Sequence, residues 1–239
     1  MSLAQNRPPP RANRLLGLLP RAEYKGLLAQ LDQIDLNFGS AVYEAGDIIR
    51  HVYFPTAGIV SLLATDGKES NLEIGVVGRE GMIGLPVFMD VRTSSNLAVV
   101  QGAGAALRMN ATTFKSYCDS GGSLPKLLQR YSHSLMTQLA QSVLCNRYHQ
   151  INARLARWLL MTRDRMGTDE FQLTQEFLSN MLGVRREGVN KAAGNLQRQE
   201  LISYNRGLLT ITNGKGLEAV SCGCYAITRK EYGSFLTRK

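Results

Sequence analysis

The chain has 239 residues and a mass of 26.4 kDa, enough to bury roughly 70–75% of the surface it exposes when unfolded, so its core needs no staples. Hydrophobic residues are 44%, charged residues 20% and prolines only 7, which excludes a disordered, collagenous or low-complexity chain. The net charge of +9 and pI ≈ 9.6 suit a polyanionic partner without identifying one.

No window reaches the ~18 consecutive apolar residues of a membrane span. Four cysteines, at 118, 145, 222 and 224, are too few and too irregularly spaced for a disulfide framework, so a reducing cytoplasm is the expected compartment. Residues 1–14 read as a flexible arm, with Arg7, Arg11, Arg14 and prolines at 8 to 10. The apolar run from Leu15 to Pro20 is too short for a secretion signal.

Residues 15–123 carry short β-type runs: Ala41–Tyr43, Ile48–Phe54, Gly58–Ala64, Asn71–Val77, Ala98–Val100 and Ala105–Met109. Frequent glycines between them are read as tight corners, and Asp66-Gly67 is the strongest hairpin signal. Many short strands with regular turns predict an antiparallel roll, sandwich or barrel rather than βαβ units.

The period changes at Leu124. Apolar residues then recur at three and four, with no Gly or Pro from Lys126 through Arg165, which predicts one or two long helices. The apolar arc is wider than one stripe, so the segment 124–150 has two surfaces to cover. An ordinary core helix is one reading. The sharper one is a dimer seam formed by Leu128, Tyr131, Leu135, Leu139 and Val143.

A second helical block begins at Ile151. Residues 151–239 hold 14 basic and 8 acidic residues, net +6, against net +3 for residues 1–150, which supports a boundary near 151. Leu173–Leu182 reads as a short helix with Thr174 as N-cap and Leu173 and Leu178 as hydrophobic staple. Gly183 ends it, and after Val184-Arg185 a second helix places Val189, Ala192, Ala193 and Leu196 inward, with Arg186, Glu187, Asn190 and Lys191 outward. Two short amphipathic helices around a glycine turn make a helix-turn-helix, the second carrying a polar N-terminal half suited to the major groove. Leu201–Tyr204 and Leu208–Ile211 then flank Asn205-Arg206-Gly207, a hairpin that puts Arg206 at the tip of a wing.

The residues Leu173-Thr174-Gln175-Glu176, then Leu182 through Lys191, then Leu196 to Ile202, resemble the C-terminal domain of the Crp/Fnr family of bacterial transcription regulators. Val42–Gly46, Tyr53-Phe54-Pro55, Gly58–Leu62, Asp66-Gly67 and Gly78–Gly81 are similar to that family's N-terminal roll. The resemblance spans roughly Leu15 to Val220. It implies an α+β protein: an antiparallel cyclic-nucleotide-binding-like β-roll (a double-stranded jelly roll), a long dimerisation helix and a winged helix-turn-helix. It further implies a homodimer on double-stranded, pseudo-palindromic DNA, RNA polymerase as a further partner, and an unidentified small-molecule effector.

Carried over by position, Arg186 and Glu187 match the family's base-reading Arg-Glu. Lys191 replaces its second arginine, and lysine lacks the planar fork that suits guanine. Arg185 stands where a capping Ser or Thr is usual. The effector cassette departs further. In Gly81-Met82-Ile83-Gly84, Met82 occupies the position of the ribose-binding glutamate, and near Ser95 and Asn96 there is no arginine for a phosphate, so a nucleotide is disfavoured.

No metal or cofactor is expected. No cysteine precedes 118, where a family iron–sulfur sensor needs its ligands. Cys222-x-Cys224 has the wrong spacing for a zinc knuckle, and Cys145 and His149 are read as helix packing. Walker, G-x-S-x-G and H-E-x-x-H motifs are missing. Two rivals to a regulator remain: a ligand-binding roll whose basic C-terminal domain is only an interaction module, and a metal-dependent jelly-roll enzyme, for which three scattered histidines are a poor start.

Overall fold

The computed structural model describes residues 13–67 and 71–237. It is an α+β protein. After a 3₁₀ turn at Leu16–Leu18 and helix α1 (Arg21–Leu28), strands β1 (Asp32–Leu36), β2 (Ala41–Tyr43), β3 (His51–Thr65), β4 (Asn71–Val77) and β5 (Leu97–Asn110) form one antiparallel sheet. Its order is β1-β5-β3-β4, with β2 also on β5. The Asp66-Gly67 hairpin forms as the sequence predicts, with Thr65 opposite Asn71 and Gly67 at φ +77°.

Six expected strands become fewer and longer ones. The part of Ile48–Phe54 from His51 onward and Gly58–Ala64 merge into β3, leaving Ile48 in an isolated bridge to Thr93, and Ala98–Val100 and Ala105–Met109 merge into β5, because the residues read as corners are bulges inside paired strands. The glycines there serve close approach. A Cβ on Gly104 would lie 2.3 Å from the Ala57 backbone, and one on Gly58 would lie 2.5 Å from the Gly102 carbonyl.

Most of the expected arm, residues 1–12, lies outside the described residues. Its last part belongs to the fold. The Asn13 amide is buried and donates to the carbonyls of Pro55 and Gly81, both at 2.9 Å, and Leu15, Leu16 and Leu19 follow it into the core.

Helix α2 (Ala111–Asp119), capped by Asn110, leads to α3 (Leu124–Tyr148) and α4 (Ile151–Met166). The break between α3 and α4 uses neither Gly nor Pro. His149 and Gln150 simply turn extended, at ψ 144° and 152°. Three of the five expected seam residues are instead used inside the chain: Leu128, Tyr131 and Leu135 are buried in the roll core, and Leu139 is half-buried against it. Only Val143 faces solvent, 66% exposed, and with it Met136 at 64%, Leu144 and Tyr148. The apolar arc does present two surfaces, one buried on the roll and one exposed to solvent, and the exposed one is rotated from the stripe read in sequence.

The C-terminal half contains β6 (Glu170–Gln172), α5 (Gln175–Leu182), α6 (Arg186–Arg198), β7 (Ile202–Asn205), β8 (Leu208–Ile211), α7 (Gly214–Val220) and α8 (Cys224–Leu236). Strands run β6-β8-β7, so the expected hairpin gains a third strand. Helix α8, expected within the winged-helix domain, lies along α3. Its Tyr232 and Phe235 join the roll core, and the Phe235 ring sits 5.8 Å from that of Tyr131.

A buried polar seam joins the two halves. Arg165 of α4 donates to Glu80 at 2.7 Å, to the Met161 carbonyl and to Gln138 of α3, and lies over the Tyr232 ring. Beside it, Trp158 donates to Glu73 at 2.9 Å, and Ser61, Gln101 and Thr162 continue the chain of hydrogen bonds. Leu63 and Val76 of the roll pack into the core of the C-terminal lobe.

Candidate nucleic-acid interface

Helix α5 starts where its sequence says it should. The Thr174 hydroxyl accepts from the Phe177 amide at 3.0 Å, and Leu178 is fully buried. Gly183, at φ +59°, closes it in a left-handed cap with amide bonds back to Asn180 and from Val184 to Ser179. Helix α6 then presents Val189, Ala192, Ala193 and Leu196 to the core. Arg185, Arg186, Glu187, Asn190 and Lys191 are all exposed. No side chain caps the start of α6, so the positive end of its dipole is open to an anion.

The wing turns through Arg206 and Gly207, at φ +49° and +83°, with Asn205 paired to Leu208. Two left-handed residues make the tight turn that matches strand twist. Arg206 is exposed there, and together with Thr174, Gln175, Glu176, Arg186 and Tyr204 it lines one concavity between α5, α6 and the wing. The structure therefore brings Thr174, Arg186 and Arg206 to a common surface. Sequence reasoning left out Gln175, Tyr204 and Glu176, and the Glu176 carboxylate meets the Arg186 guanidinium at 2.6 Å. Both are exposed, so this ion pair is weak and screened.

Of the expected effector positions, Met82 and Ile83 are packed inward. Met82 and Ile83 are each 1% exposed, and the Tyr131 hydroxyl donates to the Met82 carbonyl at 3.0 Å. Gly81 lies under the Tyr131 ring, where an added Cβ would come within 2.4 Å of the phenol oxygen. Gly84 adopts φ +90°. Ser95 is exposed and Asn96 half-buried, while the buried Tyr43 phenol is hydrogen-bonded to the Gly84 backbone and the Ser94 side chain, and burial pushes its pKa up to about 12.

The four residues read as packing and as an unmatched pair come together. Cys145 and Cys222 have their sulfurs 3.4 Å apart, Cys224 lies 3.6 Å from Nδ1 of His149, and all four donor atoms fall within 4.8 Å of one another. The hydrogen bond shared with Cys145, with the nearby Arg157 guanidinium, pulls the Cys222 thiol below its usual range. The signal in sequence was the i,i+4 pair at the end of α3 and the C-x-C after α7. What joined them is the return of the chain to α3.

Residues 34–120 match the cyclic nucleotide-binding domain, and residues 153–220 match the Crp-like helix-turn-helix domain. A CRP-like cAMP-activated global transcriptional regulator of Mycobacterium tuberculosis is 26% identical over 218 residues, covering 87% of this chain and 95% of that protein. Among solved structures, FixK2 of Bradyrhizobium japonicum has a TM-score of 0.69 at 13% identity, covering 80% of this chain and 98% of that one. A CRP/FNR-family transcriptional regulator of Thermus thermophilus has a TM-score of 0.62 at 18% identity, covering 80% and 98%. No described helix is long and apolar enough to cross a membrane. With these two domains in this order on this fold, the chain belongs to the Crp/Fnr family of DNA-binding transcription regulators and is not an enzyme.

Proposed function

We propose that the protein is a homodimeric, sequence-specific regulator that reads DNA with the N-terminal half of α6 and whose roll does not take cyclic AMP. The observation that carries the base-reading part is the surface of α6: Arg186, Glu187, Asn190 and Lys191 exposed in its first two turns, with Arg185 exposed at the cap position, on a helix anchored by four buried apolar side chains. In the groove, the Arg186 guanidinium suits O6 and N7 of a guanine, and Glu187 can accept from a cytosine amino group. Thr174, Arg185 and Arg206 are placed for phosphates, as is the uncapped start of α6; Asn190 and Lys191 extend the reading face by one turn.

The dimer is supported by the outer face of α3. Met136, Val143, Leu144 and Tyr148 are exposed large hydrophobics on one helix, and a second copy related by a two-fold axis covers such a face with itself. Two-fold symmetry then gives a pseudo-palindromic target with half-sites about 34–36 Å apart.

The relatives' name includes activation by cyclic AMP. Here the ribose position carries Met82, which is packed into the roll core, and the phosphate position has no guanidinium. A buried phosphate without a charged partner is costly, so calorimetry is expected to find cyclic AMP binding no tighter than about millimolar. A micromolar site that strengthens DNA binding sinks that part of the reading.

Selection of duplexes from a random pool tests the whole proposal, since it reports DNA binding, symmetry and spacing together. On the selected duplex, Arg186→Ala should cost about 1–3 kcal/mol and relax sequence preference. Arg206→Ala should weaken all duplexes alike and lower the salt slope by about one unit. Equal loss on specific and random DNA in both variants rules out base reading by α6.

A further inference from the structure

We propose that Cys145, His149, Cys222 and Cys224 form a tetrahedral zinc site that pins the C-terminal helix to the hinge between the roll and the DNA-binding lobe. Three sulfurs and one imidazole nitrogen are a closed donor set, the kind that holds zinc structurally rather than leaving a position for chemistry. The spacing suits one ion. Zn–S bonds of about 2.3 Å and a Zn–N bond of about 2.0 Å give tetrahedral edges of roughly 3.5–3.8 Å, and the donor atoms here lie 3.4 Å (Cys145 to Cys222) and 3.6 Å (Cys224 to His149) apart, all four within 4.8 Å. An iron–sulfur cluster interposes several atoms between its ligands and needs them farther apart.

Packing alone does not account for the group. Buried cysteines that act as small hydrophobes join a larger apolar core, whereas Cys145, Cys222 and Cys224 form a separate cluster against which, among the described hydrophobic residues, Ala153 alone is packed. All three thiols are buried. The surroundings also hold a charge in need of an opposite. Arg157 is buried, makes no ion pair among the described residues, leaves its Nε without an acceptor, and acts electrostatically on all three sulfurs. Zinc with three thiolates and a neutral imidazole carries a net charge of about −1, which Arg157 balances. Loading displaces to solvent whatever thiol protons the three sulfurs still hold, and no electron changes hands.

The position gives the site its role. Cys145 lies in the last turn of α3 and His149 at the break before α4, while Cys222 lies between α7 and α8 and Cys224 opens α8, just beyond the matched helix-turn-helix domain, which ends at 220. Nearby, the buried Arg154 bridges Asn146 near the end of α3 to the Leu182 carbonyl at the end of α5. A metal here fixes the angle at which α3 hands over to the lobe that carries α6.

The test uses the full chain, purified under reducing conditions without chelator. Elemental analysis should find about one zinc per chain, falling more than about five-fold in Cys224→Ser and His149→Ala and unchanged in Cys118→Ser. Cobalt(II) added to the metal-stripped wild type should give the intense visible bands of a tetrahedral thiolate site, a readout that needs no variant to fold. Failure to bind either metal overturns the proposal. So does iron with inorganic sulfide in place of zinc, or peptide mapping that finds Cys145 and Cys222 joined as a disulfide.

Discussion

Glu73 shows how a single group can be read from its hydrogen-bond accounting. Ser61 Oγ lies 2.7 Å from Glu73 Oε2 and 2.6 Å from Gln101 Oε1, but one hydroxyl proton cannot serve two acceptors. A protonated Glu73 resolves this by donating to Ser61, which donates to Gln101, whose amide donates to Thr162. Burial accordingly pushes the Glu73 carboxyl from 4.5 to about 7. Between those values the folded chain holds a proton that the unfolded chain has released, so stability falls as pH rises through about 4.5 to 7 and is lower by about 3 kcal/mol above that window. Glu73→Gln keeps a donor toward Ser61 and an acceptor for Trp158, so it should flatten this dependence and stabilise the protein at pH 8. Denaturant melts of both proteins at pH 5 and pH 8 decide it; identical slopes with pH would refute the protonated reading. Glu176 gives a smaller effect. Because its pair with Arg186 is exposed, releasing the guanidinium costs under about 1 kcal/mol, and Glu176→Gln should raise DNA affinity by less than about five-fold.

Among the elements, α3 separates two roles that one apolar pattern had merged. Leu135 is buried against the roll, so Leu135→Asp places an unpaired charge in the core and should unfold the chain rather than merely dissociate it. Val143→Asp lies on the exposed face, and it should leave the melting temperature of the monomer intact while weakening the proposed dimer by at least about tenfold. Sedimentation of the two variants beside their thermal melts distinguishes the roles. A Val143→Asp protein that remains dimeric moves the seam elsewhere. The wing illustrates the opposite case: Asn205-Arg206-Gly207 identified its own turn because its geometry is local, whereas β6, three residues long, drew its strand character entirely from pairing with β8.

At the scale of the whole molecule, α8 ties the C-terminal lobe back to the first domain. Phe235 is buried beside Tyr131 and its carbonyl accepts from Arg130, and Tyr232 lies under the guanidinium of Arg165, whose partner is Glu80. Phe235→Ala should therefore cost about 3–5 kcal/mol although it is far from α6, and calorimetry should show both halves losing stability together. An unchanged melt would mean that α8 is only an appendage. Breaking the buried Glu80–Arg165 pair with Glu80→Ala should cost a similar 3–5 kcal/mol, because Arg165 is left charged and buried.

By itself the sequence determined whatever rests on local chemistry: the Asp66-Gly67 hairpin, the Thr174 cap, the Gly183 stop, the polar face of α6 and the wing tip at Arg206. Each depends on residues within a few positions of one another, where backbone sterics and side-chain caps act directly. Tertiary structure alone decided which glycines are corners and which allow strands to touch, which face of α3 the roll consumes, and that α8 returns across the molecule. It also decided that Cys145 and His149 would meet Cys222 and Cys224, more than seventy residues away. The physical reason is common to all of these. Periodicity states that a surface must be covered, but only the packed fold states by what.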